Sequence, residues 1–391
     1  MKKFSGTLLM VLLVASISVI SLSETPMAKA QALPKVRVGY IPFHYYTIWE
    51  YAKDQGWDKE IGIDIELKFY SSGGPEITGF TAHDIDIGVF AFTPFMVATS
   101  KGVDIKLIGI IQNAIGMTVV VTQPKIKSME ELKGGKVGFA RATNFELVFR
   151  EVAKAHGLKI EDFEVLNLAA PDVYAAMAAG KIDGACTDIP VAWTLQQEYK
   201  CNIVGGGFEL WEKVVIPDVM CAVEGFAKEN PLLTVKTMAV YYRVQKYFKD
   251  NPDFAVKWIT DTQNRLMGSK QPVEASKASL EKIKVVTPQD NMATYFKRGH
   301  PMNVWDAILN VGKTYIDYKI ITTIPDPEKV VETRYMDTLA KTSWDELKAT
   351  RPGAEQVVGQ PNFAMYAGIV VAIVVIAAVS GYYLKKRKKK I

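Results

Sequence analysis

His83-Asp84-Ile85-Asp86-Ile87-Gly88, followed by Phe92-Thr93-Pro94, is echoed later in the chain. The echo is Gly180-Lys181-Ile182-Asp183-Gly184, followed by Asp188-Ile189-Pro190. Each reads as a strand, a short loop and a helix opened by proline in its first turn, where the missing N–H costs nothing. Asp86 stands eight residues before Pro94, and Asp183 seven before Pro190. Two strand–loop–helix units of one design point to an α/β protein built twice. In open α/β sheets ligands bind beyond the carboxyl ends of strands. Two such ends, one per half, are therefore placed to face one cleft.

The same alternation runs outward from both units. Val36–Tyr40, Ile63–Tyr70, Ile85–Phe90 and Ile105–Ile111 are short apolar or β-branched stretches and read as strands. Helical stretches lie between them near Thr47–Gln55, Glu76–Ala82 and Pro94–Ser100. The second half offers strands at Lys136–Ala140, Glu164–Leu168 and Ile182–Cys186, with helices at Asn144–His156, Val173–Ala179 and Val191–Tyr199. Alternating elements of these lengths imply a parallel or mixed sheet covered by helices. From about Phe226 the chain turns mostly helical, with start signals at Asn251-Pro252 and Thr287-Pro288.

The ends read differently from the body. Lys2 and Lys3, an apolar stretch from Leu8 to Ile20, and Ala28-Lys29-Ala30 before Gln31 form the pattern of a signal peptide over residues 1–30. Ala364–Leu384 is an uninterrupted uncharged apolar stretch. As a helix at about 1.5 Å per residue it spans about 30 Å, the thickness of a bilayer core. Lys385, Lys386, Arg387, Lys388, Lys389 and Lys390 follow it and belong on the cytoplasmic side. Pro352, Gly353, Gly359 and Pro361 mark residues 346–363 as a stalk. The expectation is a body outside the cell on a single C-terminal tether, with residues 385–391 as a basic cytoplasmic tail.

Of the 391 residues, 23% are charged and 49% hydrophobic, as in a folded globular protein. The net charge of +5 misleads. Lys2, Lys3, Lys29 and Glu24 leave +2 in residues 1–30 and residues 385–390 carry +6, so the part between carries −3. That body has no excess of positive charge to pair with nucleic-acid phosphates. Cys186, Cys201 and Cys221 are scattered; an exported chain permits two to pair, and the sequence does not choose which. Cys186 falls on a strand and is expected to be buried. No C-x2-C or H-E-x-x-H motif occurs, so neither a metal nor a cofactor is expected. His44, His83, His156 and His300 read as surface or loop residues, and no Ser-His-Asp arrangement emerges.

Two loops have the makings of ligand cradles. Ser71-Ser72-Gly73-Gly74-Pro75 joins a strand to a helix, and Arg141-Ala142-Thr143-Asn144 does the same in the second half. Helix N-termini present free N–H groups and a positive dipole end, which suits carboxylates or sulfonates. Both loops are equally readable as ordinary turns with Ser and Asn as caps.

The order of these pieces resembles the periplasmic-type solute-binding proteins of ABC importers. The branch it resembles takes up aliphatic sulfonates, taurine, nitrate and thiamine-pyrimidine precursors. The matching segments begin with Val38-Gly39-Tyr40, Gly62–Glu66, Ser71–Pro75 and Asp84–Gly88. They continue with Ser128–Gly138, Ala178–Gly184, Phe226–Pro231 and Glu332–Tyr335. The resemblance implies an α/β, two-lobe, type II periplasmic-binding-protein fold, here with a C-terminal transmembrane helix. Lobe I would hold residues 33–120 and 223–345, the latter mostly helical, and lobe II residues 121–222. The chain would cross near Val119–Thr122 and return near Cys221–Glu224. Ligand would bind between lobes that close by hinge motion. The implied partners are a small molecule, an ABC permease and its ATPase; the protein would be a monomeric binder and no enzyme.

Carried onto this chain, the family's ligand contacts fall on His44, Tyr45 and Tyr46 after the first strand, then Ser72, Gly73 and Gly74. Phe92, Thr93 and Asn113 follow in lobe I. Arg141, Thr143, Asn144, Phe145, Asp188 and Trp193 serve in lobe II. Tyr45 and Tyr46 do not easily both face the cleft; Phe92 and Trp193 are also readable as core, and Asp188 as a helix cap. The chain departs from the usual Gly-Ser-Ser/Thr stretch at Ala140–Asn144, and Thr187 stands where many relatives carry Trp. Arg141 offers a charge to an anion, and an acidic Asp188 offers a partner to an amino group. A sulfonate or a zwitterion such as taurine follows from both together; a pyrimidine, nitrate or an aromatic acid are the alternatives. A tethered sensor, or an enzyme on the same fold, is the competing class.

Overall fold

The computed structural model describes residues 32–350, apart from 142, 169 and 212–214. Among the described residues the strands form two sheets. The first half builds β1 (Lys35–Tyr40), α1 (Ile48–Asp54), β2 (Asp64–Phe69), α2 (Gly73–Thr81), β3 (Ile87–Ala91), α3 (Phe92–Ser100) and β4 (Ile105–Asn113). The second half builds β5 (Thr118–Thr122), β6 (Lys136–Phe139), α4 (Asn144–Ala155), β7 (Glu164–Asn167), α5 (Ala170–Ala178), β8 (Gly184–Asp188), α6 (Ile189–Tyr199) and β9 (Asn202–Gly206). The chain then returns as β10 (Asp218–Val223) and ends in helices. These are α7 (Pro231–Asp250), α8 (Pro252–Met267), α9 (Val273–Leu280), α10 (Val304–Asp317), α11 (Arg334–Lys341) and α12 (Trp344–Ala349), with the short β11 (Lys284–Val285) after α9.

The first sheet has the order β11-β4-β10-β3-β1-β2 and the second β7-β6-β8-β5-β9. β1 pairs in parallel with β2 and β3, while β10 enters antiparallel between β3 and β4. In the second sheet β6 is parallel to β7 and β8, and β5 antiparallel to β8 and β9. The helices that follow β3 and β8 are those of the two echoed units. The central strands are buried along their whole length: every residue of β5 and β10 is covered. That explains the apolar runs Val119–Val121 and Val219–Val223, since a strand with helices on both faces has no solvent side to make polar.

The chain passes from the first sheet to the second between Asn113 and Thr118, and returns between Gly206 and Asp218. Both passages precede the expected ones at Val119–Thr122 and Cys221–Glu224 by a few residues. The reason is that Val119–Thr122 and Cys221–Val223 are already paired inside the new sheet. The passages pack on one another. A Cβ on Gly207 would collide with the Ile115 carbonyl, and one on Gly116 with the Trp211 ring. Only glycine lets the two backbones touch there.

All three cysteines are free and buried, as small apolar side chains. The C-terminal helices are pinned to the body. Arg243 lies between the Trp57 and Trp344 rings, 4.4 and 4.1 Å from their centroids. The buried Lys236 ammonium donates to the Ile61 and Thr350 carbonyls at 2.8 Å each. No helix among the described residues is long and apolar enough to cross a membrane. The signal peptide over residues 1–30, the span at 364–384 and the basic tail lie outside the described residues, as does the stalk expected at 346–363 from residue 351 on. Its start is no stalk, because residues 346–349 belong to α12, which a Ser343–Glu346 capping box opens and whose Leu347 is buried.

Candidate functional site

A cavity of about 240 Å³ lies between the two halves. It is smaller than the roughly 300–1,000 Å³ typical of drug-sized ligands, which suits a metabolite of a few heavy atoms. Its walls come from three places. The ends of β1 and β3 supply Ile41, Phe43, Tyr46, Ala91 and Pro94. The start of α4 supplies Thr143, Asn144, Phe145 and Val148. The two passages and the strands they enter supply Ala114, Ile115, Met117, Thr118, Ile216 and Asp218. Most of that surface is apolar; the polar groups are few and clustered.

One cluster is acidic. Asp218 opens β10 and is 4% exposed. Gln112 donates from Nε2 to its Oδ2 at 2.6 Å, and the Tyr46 hydroxyl also bonds it. Burial pushes the Asp218 carboxyl up to about 7, against the pull of those two donors. Tyr46 is pushed up as well, by burial and by the neighbouring acid, so it remains a neutral donor. No Lys, Arg or His stands among the described residues that line the cavity.

The other cluster opens α4. Thr143 is its N-cap: the hydroxyl accepts from Phe145 N–H at 3.2 Å and donates to the Ala140 carbonyl at 2.6 Å. Asn144 accepts from the Thr93 hydroxyl across the cleft. Thr93 is fully buried and also bonds the Tyr315 hydroxyl at 2.6 Å. A second bridge lies farther out: the Tyr318 hydroxyl donates to Glu151 at 3.1 Å, and Arg150 covers the Tyr318 ring at 4.2 Å. Lys284 sits 4.3 Å over the Trp211 ring beside the passages. The two halves are thus in contact across the cleft.

Of the expected site residues, Tyr46, Thr143, Asn144 and Phe145 line the cavity. Thr93 reaches it through Asn144. Gly73 supports it from behind, because a Cβ there would meet the Pro94 ring at 3.0 Å. Ser72 and Gly74 flank that contact without lining the cavity. Tyr45 is buried, with its carbonyl accepting from the Tyr241 hydroxyl at 3.0 Å; Tyr46 is the tyrosine of the pair that faces the cleft. Phe92 packs in the core against Phe95. Asn113 is buried and its Oδ1 accepts from Ile115 N–H at 3.3 Å. Arg141 is exposed and outside the lining; its backbone N–H donates to Asn167 Oδ1 at 3.0 Å. Trp193 is half-buried on α6, outside the lining.

Two expectations need correction. His44 is no solvated loop residue: it is 1% exposed, with Nε2 2.7 Å from Ser279 Oγ on α9. Burial lowers it to about 3, so it is neutral. Asp188 caps α6, accepting from Val191 N–H at 3.3 Å, and does not line the cavity. Asp218, Ile115, Met117 and Ile216 were not expected. They lie on the passages and on β10, and nothing in their local pattern marks a site.

With this geometry in view, the comparisons are specific. The NMT1/THI5-like family profile matches residues 44–255, over half of the chain. The chain belongs to the NMT1/THI5-like family. The taurine-binding periplasmic protein of Escherichia coli (strain K12) is 25% identical over 226 residues, covering 56% of this chain and 69% of that one. Among solved structures, the periplasmic aliphatic sulphonate binding protein of Escherichia coli superposes with a TM-score of 0.63. That match has 15% identity and covers 83% of this chain and 99% of that one. The alkanesulfonate-binding protein of Xanthomonas axonopodis pv. citri, solved with MOPS bound, gives 0.61 at 15% identity, covering 76% and 98%. These likenesses establish the α/β periplasmic-binding-protein fold for this member of the family.

Proposed function

We propose that this chain is the extracytoplasmic solute-binding component of an ABC importer. It captures a small organic anion or zwitterion of the sulfonate and taurine kind between its lobes and delivers it to a permease. The observation that carries the reading is the cavity itself. It is bridged by a lobe-to-lobe contact, walled by strand-end loops and a helix N-terminus, and bordered by two passages that meet at glycine. A site built this way binds and releases by lobe motion. Among the described residues its lining supplies binding groups and no Ser, Cys or His, which supports reading it as a binder.

The uncharged stretch at 364–384 and the basic residues after it support a single C-terminal tether with the body outside the cell. A tether keeps the binder near its permease and raises effective concentration without new contacts. Proteolytic shaving of intact cells should remove the body; an untouched body would overturn the outward orientation. The function is tested by a thermal-shift screen with taurine, alkanesulfonates, nitrate, aminopyrimidines, aromatic carboxylates and amino acids. Ligand at about 100 times its dissociation constant stabilises by about 2.7 kcal/mol. A hit confirmed by calorimetry supports the binder reading, and a folded, ligand-free protein with no hit speaks against it.

A further inference from the structure

The cavity is poorly matched to a plain anion. Its one charged side chain among the described lining residues is acidic: Asp218. Beside it, the fully buried Gln112 gives its amide N–H to Asp218 and leaves Oε1 buried without a partner. Gln112 stands behind the lining, so the acceptor that this end of the cavity presents is the Asp218 carboxylate. A buried acceptor left unpaired costs free energy, and a carboxylate facing an anionic group costs more. What satisfies the Asp218 carboxylate is a donor, best of all a charged one. The walls beside it, Phe43, Ile115, Met117, Phe145 and Ile216, suit an apolar or flat body. The other polar cluster, where α4 begins at Thr143 and Asn144, is left for the ligand's acceptor end.

We infer that the ligand presents an N–H donor, an amine or a protonated ring nitrogen, to Asp218, and that a sulfonate lacking such a donor is rejected. The inference rests on the solute-binding reading above and narrows its ligand class. Asp218 is then the residue that sets specificity. Its ionisation gives binding a pH dependence. The titratable groups facing it are Tyr46 and Tyr241, with Glu76 behind Tyr46. Burial raises both tyrosines and Glu76 and brings the Asp218 carboxyl to about 7, so Asp218 changes charge near neutrality. Asp188, which pairs with the lining residue Thr118, is raised by burial to about 6.

The test is calorimetry on the full-length chain in nanodiscs with two matched pairs, taurine with ethanesulfonate and 4-aminopyrimidine with pyrimidine. The expected result is that an amino member binds at least tenfold tighter than its partner. Asp218→Asn should cut that ratio to about twofold or less while the variant stays folded by circular dichroism. Taurine affinity should also rise from pH 6 to pH 8, a readout on the unmodified chain that decides the matter where the variant does not fold. Equal affinity within a pair, an equal loss for both members in Asp218→Asn, or a falling pH slope overturns the inference. Binding of amine-free sulfonates alone overturns it while leaving the importer reading in place. No binding by any compound, in these pairs or in the wider screen, overturns both.

Discussion

Replacing Asp218 by Asn is expected to stabilise the ligand-free protein at alkaline pH. The carboxyl stands at about 7 in the fold against an ordinary value of 3.8. A folded pKa above the unfolded one means that the fold holds a proton the unfolded chain has already lost. Stability therefore falls as pH rises from about 4 to about 7, and levels off above that. Three units at about 1.4 kcal/mol each give roughly 4 kcal/mol. Asn cannot ionise, but it keeps only one acceptor for Gln112 and Tyr46, and a weakened hydrogen bond costs about 1 kcal/mol. The net gain at pH 8 is about 3 kcal/mol, and near pH 4.5 the two terms cancel. For a body of about 320 residues, unfolding entropy converts this to roughly 4 °C in melting temperature. The assay is thermal unfolding of wild type and variant from pH 4.5 to 8.5. Buried Glu76 is present in both and drops out of the difference. Parallel curves for the two proteins would refute the reasoning, because they would mean that Asp218 is ionised and well solvated at every pH. A buried acid retained at this cost belongs to a site whose ligand supplies the missing partner.

Four further outcomes follow from the same contacts. Thr93→Val removes the hydroxyl shared by Asn144 and Tyr315; ligand affinity should fall about 5- to 30-fold, as for roughly 1–2 kcal/mol of buried hydrogen bond, and calorimetry that finds no change would show that the bridge is dispensable. Gly207→Ala drives a Cβ into the Ile115 carbonyl; about 1–3 kcal/mol of stability should be lost, as for overpacking elsewhere, read as a lower denaturant midpoint. Asp188→Asn should leave ligand affinity within about twofold, because Asn caps a helix as well as Asp; a larger loss in calorimetry would move Asp188 into the site. His156 lies 2.9 Å from Glu130 and 3.1 Å from Glu209, which raises its pKa; the stability it adds is present below its ordinary value and lost as pH rises through the raised one, so the gap between wild type and His156→Gln should close above neutrality.

The strand-and-helix units and four of the lining residues follow from local pattern, and the rest of the site does not. Each strand-to-helix unit carries its own signals: β-branched runs for β1 to β4, Thr143 before the α4 helix, Pro94 and Pro190 in the first turns of α3 and α6. These act over a few residues, so they are legible in one chain read alone, and they place Tyr46, Thr143, Asn144 and Phe145 at strand ends. Asp188 shows the limit of such signals. A carboxylate before a helix has the same neighbours whether it caps the helix or meets a ligand, and here it caps. Asp218 carries no local mark at all. It becomes a cavity residue because β10 inserts antiparallel between β3 and β4, which brings it beside Gln112 and Tyr46, 106 residues away in the first case. Ile115, Met117 and Ile216 enter the walls because two distant glycine-bearing passages lie against each other. Residue types and their short periodicities determine the elements, since helix and strand formation are local. Which polar group is left facing the cleft is decided only when the sheets pair, since that pairing joins segments the sequence keeps far apart.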